Sequence, residues 1–261
     1  MSRIPETFAR LKAARRKALI PFLVAGDPET AVTLRAAEAL VQSGADLLEL
    51  GVPFSDPIAD GPVNQRAYQR ALAAGETPGG VLDLVKMIRG RFTLPLVLLS
   101  YYNPILRYGP EAFCGDAASA GVDGLVIPDL PADEAADLVR PARAHGVDTV
   151  FLLAPTSTDR RISLTVAQST GFVYCVSLTG VTGVRDVLAG GVDGLVGRIR
   201  AQTDLPVCVG FGVSTPEQAQ AAAAASDGVI VGSALVALLE RPDGVPRLSE
   251  LVRAIRGALD G

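Results

Sequence analysis

The sequence has no tryptophan, one histidine, two methionines and three cysteines, and aromatic residues make up only 5% of it. Each scarcity excludes something. The lone histidine, His145, rules out any mechanism that needs two imidazoles. Cys114, Cys175 and Cys208 are odd in number and far apart, which argues against a disulfide framework and for a reducing compartment. Neither Cys nor His forms a cluster with zinc-ligand spacing, so no metal site is expected. Lys and Arg number 24 against 28 Asp and Glu, a net charge of -4, so no basic excess points to nucleic acid or anionic lipid. Apolar runs such as Pro95–Leu99 are strand-length, far short of the ~20 residues that span a bilayer. The opening segment MSRIPETFARLKAARRKALI scatters charges among its apolar residues and lacks the continuous core of a signal peptide. The chain reads as cytoplasmic, with neither membrane nor nucleic acid among its partners.

What is present is core-forming material and a recurring unit. Hydrophobic residues are 49% of 261, enough for a sizeable core. A short apolar run ends in Gly, Pro or Asp, and an amphipathic stretch rich in Ala, Leu and Arg follows. Eight such runs are expected as strands: Leu19–Val24, Asp46–Leu50, Leu96–Ser100, Gly124–Ile127, Thr149–Leu153, Phe172–Val176, Pro206–Gly210 and Gly228–Gly232. They are almost continuously apolar, as parallel strands buried on both faces must be. Between them the spacing predicts helices over Thr30–Ser43, Gly79–Arg91, Glu111–Ala120, Ala132–His145, Asp159–Ser169, Gly191–Gln202, Thr215–Ala225 and Ser233–Glu240. Further helices are expected at Pro5–Ala14 and Leu248–Leu259. At about 33 residues per unit, an α/β chain of this kind fits a single-domain (β/α)8 TIM barrel over residues 1–261, with extra N- and C-terminal helices. An open doubly wound sheet is the alternative.

On such a barrel, chemistry sits at the C-terminal ends of the strands. Glu49 lies inside an apolar strand, on the face opposite Leu48 and Leu50. A buried carboxylate is costly unless it is paired or becomes neutral, so Glu49 is either a structural ion-pair member or a proton donor near neutral pH. The following loop holds Asp56 and Asp60 among Pro53, Pro57 and Pro62, and is long for a strand-to-helix connection. Its aspartates read as turn caps or as functional groups. Glycine clusters at 177–183, 210–214 and 230–234 follow three consecutive strands, and fit either tight turns or a phosphate held by backbone N–H groups. Phe22, Tyr101, Tyr174 and Phe211 lie in or at the ends of strands, as ordinary core or as a flat pocket for an aromatic ring. His145 reads as a helix C-terminal residue, and Cys175 and Cys208 as inert core.

The segment LELGVPFSDPIADGPVNQ, Leu48–Gln65, resembles the signature of the tryptophan synthase alpha chain family. The stretches Pro21–Pro28, Tyr101–Pro104, Gly180–Gly183, Gly210–Ser214 and Gly232–Ala234 fall in that family's order and spacing, so the resemblance covers nearly the whole chain. It implies a (β/α)8 barrel that cleaves indole-3-glycerol phosphate to indole and glyceraldehyde 3-phosphate in tryptophan biosynthesis. The matching positions imply that Glu49 and Asp60 are the catalytic carboxylates. They also imply that Phe22, Tyr101, Tyr174, Thr182, Gly183, Phe211, Gly212, Gly232 and Ser233 bind substrate and its phosphate. Pro53 and Asp56 are implied to meet a beta chain in an alpha2beta2 assembly. No cofactor is expected in this chain, pyridoxal phosphate belonging to the beta partner. Three positions depart from the family's pattern. Asn64 stands where an aliphatic residue is frequent, Ser100 replaces a larger apolar residue, and Leu178 stands where some members carry Arg. A freestanding lyase without a beta chain, a phosphosugar isomerase on the same barrel and a purely regulatory barrel are the rival readings.

Overall fold

Strands that are apolar throughout must be covered on both faces, and here they are. The computed structural model describes residues 2–176, 185–210 and 212–261, the side chains of 185–191 excepted. The strands are β1 (Ala18–Val24), β2 (Leu48–Gly51), β3 (Leu96–Leu99), β4 (Gly124–Val126), β5 (Asp148–Val150), β6 (Leu152–Leu153), β7 (Val173–Val176), β8 (Val207–Gly210) and β9 (Gly228–Val231). The helices are α1 (Ile4–Ala13), α2 (Thr30–Gln42), α3 (Pro62–Ala73), α4 (Pro78–Arg89), α5 (Tyr102–Tyr108), α6 (Pro110–Ala120), α7 (Ala136–Ala144), α8 (Asp159–Gln168), α9 (Arg185–Arg200), α10 (Pro216–Ala225), α11 (Ser233–Leu239) and α12 (Gly244–Asp260).

All the strand pairings are parallel, in the order β5-β4-β3-β2-β1-β9-β8-β7-β6. The two ends of that order are pieces of one segment, the expected fifth strand, interrupted at Phe151. Val150 pairs with Val126 on one side, and the Phe151 carbonyl accepts the Tyr174 N–H at 3.1 Å on the other. The sheet therefore closes on itself, which excludes the open doubly wound alternative.

Alternation along each strand separates two apolar layers. Leu19, Leu23, Leu48, Leu50, Leu96 and Leu98 pack outward against the helices. Ile20, Phe22, Leu47, Val97, Tyr174 and Ile230 fill the barrel interior. Buried carboxylates tie the base together. Asp123 accepts from the Arg3 and Arg89 guanidiniums at 2.9 and 2.7 Å and from the Leu96 N–H. Asp46 accepts from Arg256 and from the Leu19 N–H, both at 3.0 Å.

Two helices were not expected. α3 opens with the polar Asn64-Gln65-Arg66, which hides its period, yet it buries Ala67, Tyr68 and Ala71. Pro62 at its first turn presets the backbone for a helix. α5 is only 7 residues long, too short to show a period. α9 begins at Arg185, before the expected Gly191. His145 caps the end of α7 and its ring meets Glu111 at 2.9 Å, away from the strand tops. All three cysteines are free and buried. Among the described residues, no helix is long and apolar enough to cross a membrane.

Candidate active site

Glu49 is set by the strand that carries it. On β2, Leu48 and Leu50 face the helices, so Glu49 points into the barrel, level with Phe22 on β1 and Val97 on β3. Its side chain is 1% exposed, and no protein hydrogen bond reaches either carboxyl oxygen among the described residues. Burial, and secondarily the nearby Asp60, push its pKa up to about 8. Glu49 is therefore a neutral acid at pH 7, and the ion-pair reading of this residue falls away.

Asp60 has the opposite surroundings. It ends the loop after β2, one residue before the N-cap of α3. Tyr101 donates its hydroxyl to Oδ2 at 2.7 Å, and Asn64 donates Nδ2 to Oδ1 at 2.8 Å. Gln65 donates to the Asp60 backbone carbonyl at 2.8 Å. The Tyr101 hydroxyl also accepts the Ala59 N–H at 2.9 Å, and Phe54 packs on its ring with centroids 5.3 Å apart. Burial raises the Asp60 pKa, opposed by Asn64, Tyr101 and Tyr68. The buried Tyr68 hydroxyl lies near Asp60 but outside normal hydrogen-bond geometry. Both carboxyls are thus raised, but only Asp60 has donors that favour its anion.

Phe22 and Tyr174 are buried in the interior with Glu49. Two glycines are required by this crowding. A Cβ on Gly51 would lie 2.8 Å from both the Phe22 ring and the Tyr68 hydroxyl, and one on Gly210 would collide with the Tyr174 ring. Gly212, at φ +79°, is exposed beyond β8. Gly232 is the half-buried N-cap of α11, with the exposed Ser233 next to it. Pro53 is buried, while Asp56 is exposed on the same loop. Ser100 is buried and donates to the Tyr101 carbonyl at 2.9 Å. Thr182, Gly183, Phe211 and Leu178 lie outside the described residues.

Sequence reasoning missed Tyr68, and named Asn64 only as a departure. The signal was the spacing Asp60, Asn64, Tyr68, which puts all three on one side of a helix and its approach. Arg70 anchors that helix, meeting both oxygens of the buried Asp27 at 2.7 and 2.9 Å and Glu240 at 2.9 Å. A cavity of about 350 Å³ opens at the same end of the barrel, lined by Ile127, Leu130, Phe151, Leu153 and Val176 among others. A larger one, about 860 Å³, lies at the opposite end against α1, away from both carboxyls. Among the described residues, no group of three or more His, Cys, Asp or Glu converges as a metal site.

The family model described as "Tryptophan synthase alpha chain" matches residues 8–255. The chain belongs to the tryptophan synthase alpha chain family. A tryptophan synthase alpha chain from Geobacter sulfurreducens is 54% identical over 241 residues, covering 92% of this chain and 91% of that one. One from Chloroflexus aurantiacus is 51% identical over 260 residues, covering 99% and 98%. Among solved structures, the tryptophan synthase alpha subunit of Legionella pneumophila superposes with a TM-score of 0.92 at 39% identity, covering 100% of this chain and 99% of that one. The aminoacrylate-bound tryptophan synthase of M. tuberculosis gives 0.90 at 41%, covering 99% and 100%. As a member of that family, this chain is an enzyme subunit of tryptophan biosynthesis built on a TIM barrel.

Proposed function

We propose that this chain is a carbon–carbon lyase that cleaves indole-3-glycerol phosphate to indole and glyceraldehyde 3-phosphate. The observation that carries the reading is the pair at the top of β2: a buried, neutral Glu49 with no protein partner among the described residues, beside a donor-held Asp60. The indole ring leaves only after its C3 is protonated. Glu49 donates that proton, and positive charge develops on the ring nitrogen. Asp60, as an anion, accepts the ring N–H and stabilises the charge. Glu49, now ionised, takes the proton of the glycerol 3′-hydroxyl. The C3–C3′ electron pair returns to the ring, the aldehyde forms, and Glu49 is protonated again. No metal or organic cofactor is required in this chain.

Phe22, Tyr101 and Tyr174 form the proposed indole pocket, and Gly212, Gly232 and Ser233, with Gly183, the phosphate site. Phe211 and Thr182 belong to the same proposed site. The proposed partner is a pyridoxal-phosphate-dependent beta chain in an alpha2beta2 assembly. Its contact on this chain is the loop at 52–61, where Asp56 is exposed and Ile58 is 83% exposed. Pro53, being buried, shapes that loop from beneath. One domain over residues 1–261 is supported by the pairing of β1 with β9 near opposite ends of the chain. The proposed setting is the cytoplasm, in keeping with three free cysteines.

Indole release is measured with and without a beta chain. Slow release alone, greatly accelerated by the partner, is expected. Glu49→Gln should bind a phosphorylated substrate analogue and release no indole, and Asp60→Asn should lose activity. Normal turnover by folded Glu49→Gln would sink the reading.

A further inference from the structure

Asn64 lies directly against the Asp60 carboxyl. It stands in the first turn of α3, donating Nδ2 to Oδ1 of Asp60 at 2.8 Å. Its own Oδ1 is buried and meets no protein donor among the described residues. Rotating the amide would turn that oxygen toward the carboxylate, which an ionised Asp60 repels. The orientation with Nδ2 toward Asp60 is the one compatible with an anionic Asp60. Tyr101 holds the other carboxylate oxygen and Gln65 the backbone carbonyl, so the residue is held at three points.

Among the described residues, the groups that face Asp60 are Glu49 from β2, Tyr68 from α3, Tyr101 beyond β3 and Tyr174 from β7. None of them is a cation. The negative charge on Asp60 is therefore sustained by hydrogen bonds, and Asn64 contributes the largest of the effects that oppose its burial. We propose that Asn64 is a positioning residue that holds the Asp60 carboxylate ionised and correctly aimed beside the protonated Glu49. This rests on the reading of Asp60 as the anion that stabilises the developing charge.

The test uses the full chain in complex with a beta chain and follows indole release against pH. Asn64→Leu removes the donor at similar volume, and Asn64→Asp replaces it with a near-isosteric acceptor. A hydrogen bond to a charged group predicts a roughly ten- to hundredfold fall in kcat for Asn64→Leu, with KM changed little. Losing the donor favours the protonated Asp60, so the acid limb of the profile moves to higher pH. In Asn64→Asp it moves further, because two carboxyls then compete for one charge. Unchanged kcat and an unchanged acid limb in folded Asn64→Leu would overturn the inference. So would a loss that is equal at every pH and tracks a fall in thermal stability. Asp60→Asn separates the two levels of the argument. If it is fully active, the role of Asp60 fails and takes this inference with it. If it is inactive while Asn64→Leu behaves as wild type, only the role of Asn64 fails.

Discussion

At the scale of single residues, function here is a matter of unequal environments for two similar groups. Among the described residues, Glu49 has lost water and gained no donor, while the Asp60 carboxyl has gained two, Asn64 and Tyr101. The cost of this arrangement is measurable as stability. The folded pKa of Glu49 is about 8 against a model-compound value of 4.5. Below the lower value both folded and unfolded chains hold the proton. Between the two, the unfolded chain releases it and the folded chain does not, so stability falls as pH rises and levels off above about 8. Glu49→Gln abolishes that dependence. Urea unfolding should show the variant gaining on wild type by on the order of 3 kcal/mol from pH 5 to 8. A constant difference across that range would mean that Glu49 titrates normally. Glu49 was legible from sequence because a carboxylate inside an apolar run is conspicuous, and alternation set it opposite Leu48 and Leu50, whose packing against the helices then turns it inward. Tyr68 was not, since a tyrosine in a polar stretch carries no sign of what it will touch.

At the scale of elements, α3 shows why a helix can be essential to a site and nearly silent in sequence. Its outer face is polar and its buried face is confined to Ala67, Tyr68 and Ala71, so it lacks the wide apolar stripe that marks a core helix. Its position is set instead by Arg70, which spans Asp27 beyond β1 and Glu240 at the end of α11. Asp27 is 1% exposed, so removing Arg70 leaves a buried carboxyl unpaired. Arg70→Ala is expected to cost about 2 kcal/mol in chemical denaturation. Because α3 also carries Asn64, kcat should fall as well, more steeply toward acid pH. Stability lost without any change in kcat would show that α3 keeps its place without this anchor. The strands, by contrast, announced themselves, because burial on both faces leaves a continuous apolar run. The fifth was visible as a run, but its interruption at Phe151 was not.

At the scale of the whole molecule, the chain is closed twice. The sheet joins through the segment on either side of Phe151, and α12 returns the C-terminal region to the base of β1 and β2. Arg256 makes the second closure, reaching Asp46 and the Lys17 carbonyl, both at 3.0 Å. Arg256 and Asp46 are 9% and 7% exposed in their side chains, so breaking the pair strands a carboxyl in the interior. Arg256→Met is expected to destabilise the protein by about 3–5 kcal/mol, read from the urea midpoint. A shift below about 1 kcal/mol would mean that water or Arg16 replaces the lost partner. Since the carboxyl pair lies at the other end of the strands, any protein that remains folded should keep its kcat.

Composition, the apolar runs and alternation within each strand were enough to determine the parallel α/β architecture and to put Glu49 on the face opposite Leu48 and Leu50, and the motif at 48–65 pointed to the family to which the chain belongs. These are local properties, fixed by which residues follow which along a strand or motif. Closure of the barrel, the helix at 62–73, and the hold of Asn64 and Tyr101 on Asp60 were decided only by the tertiary structure. Each depends on groups brought together across turns of chain, where distance and loss of water, not sequence order, set the energy.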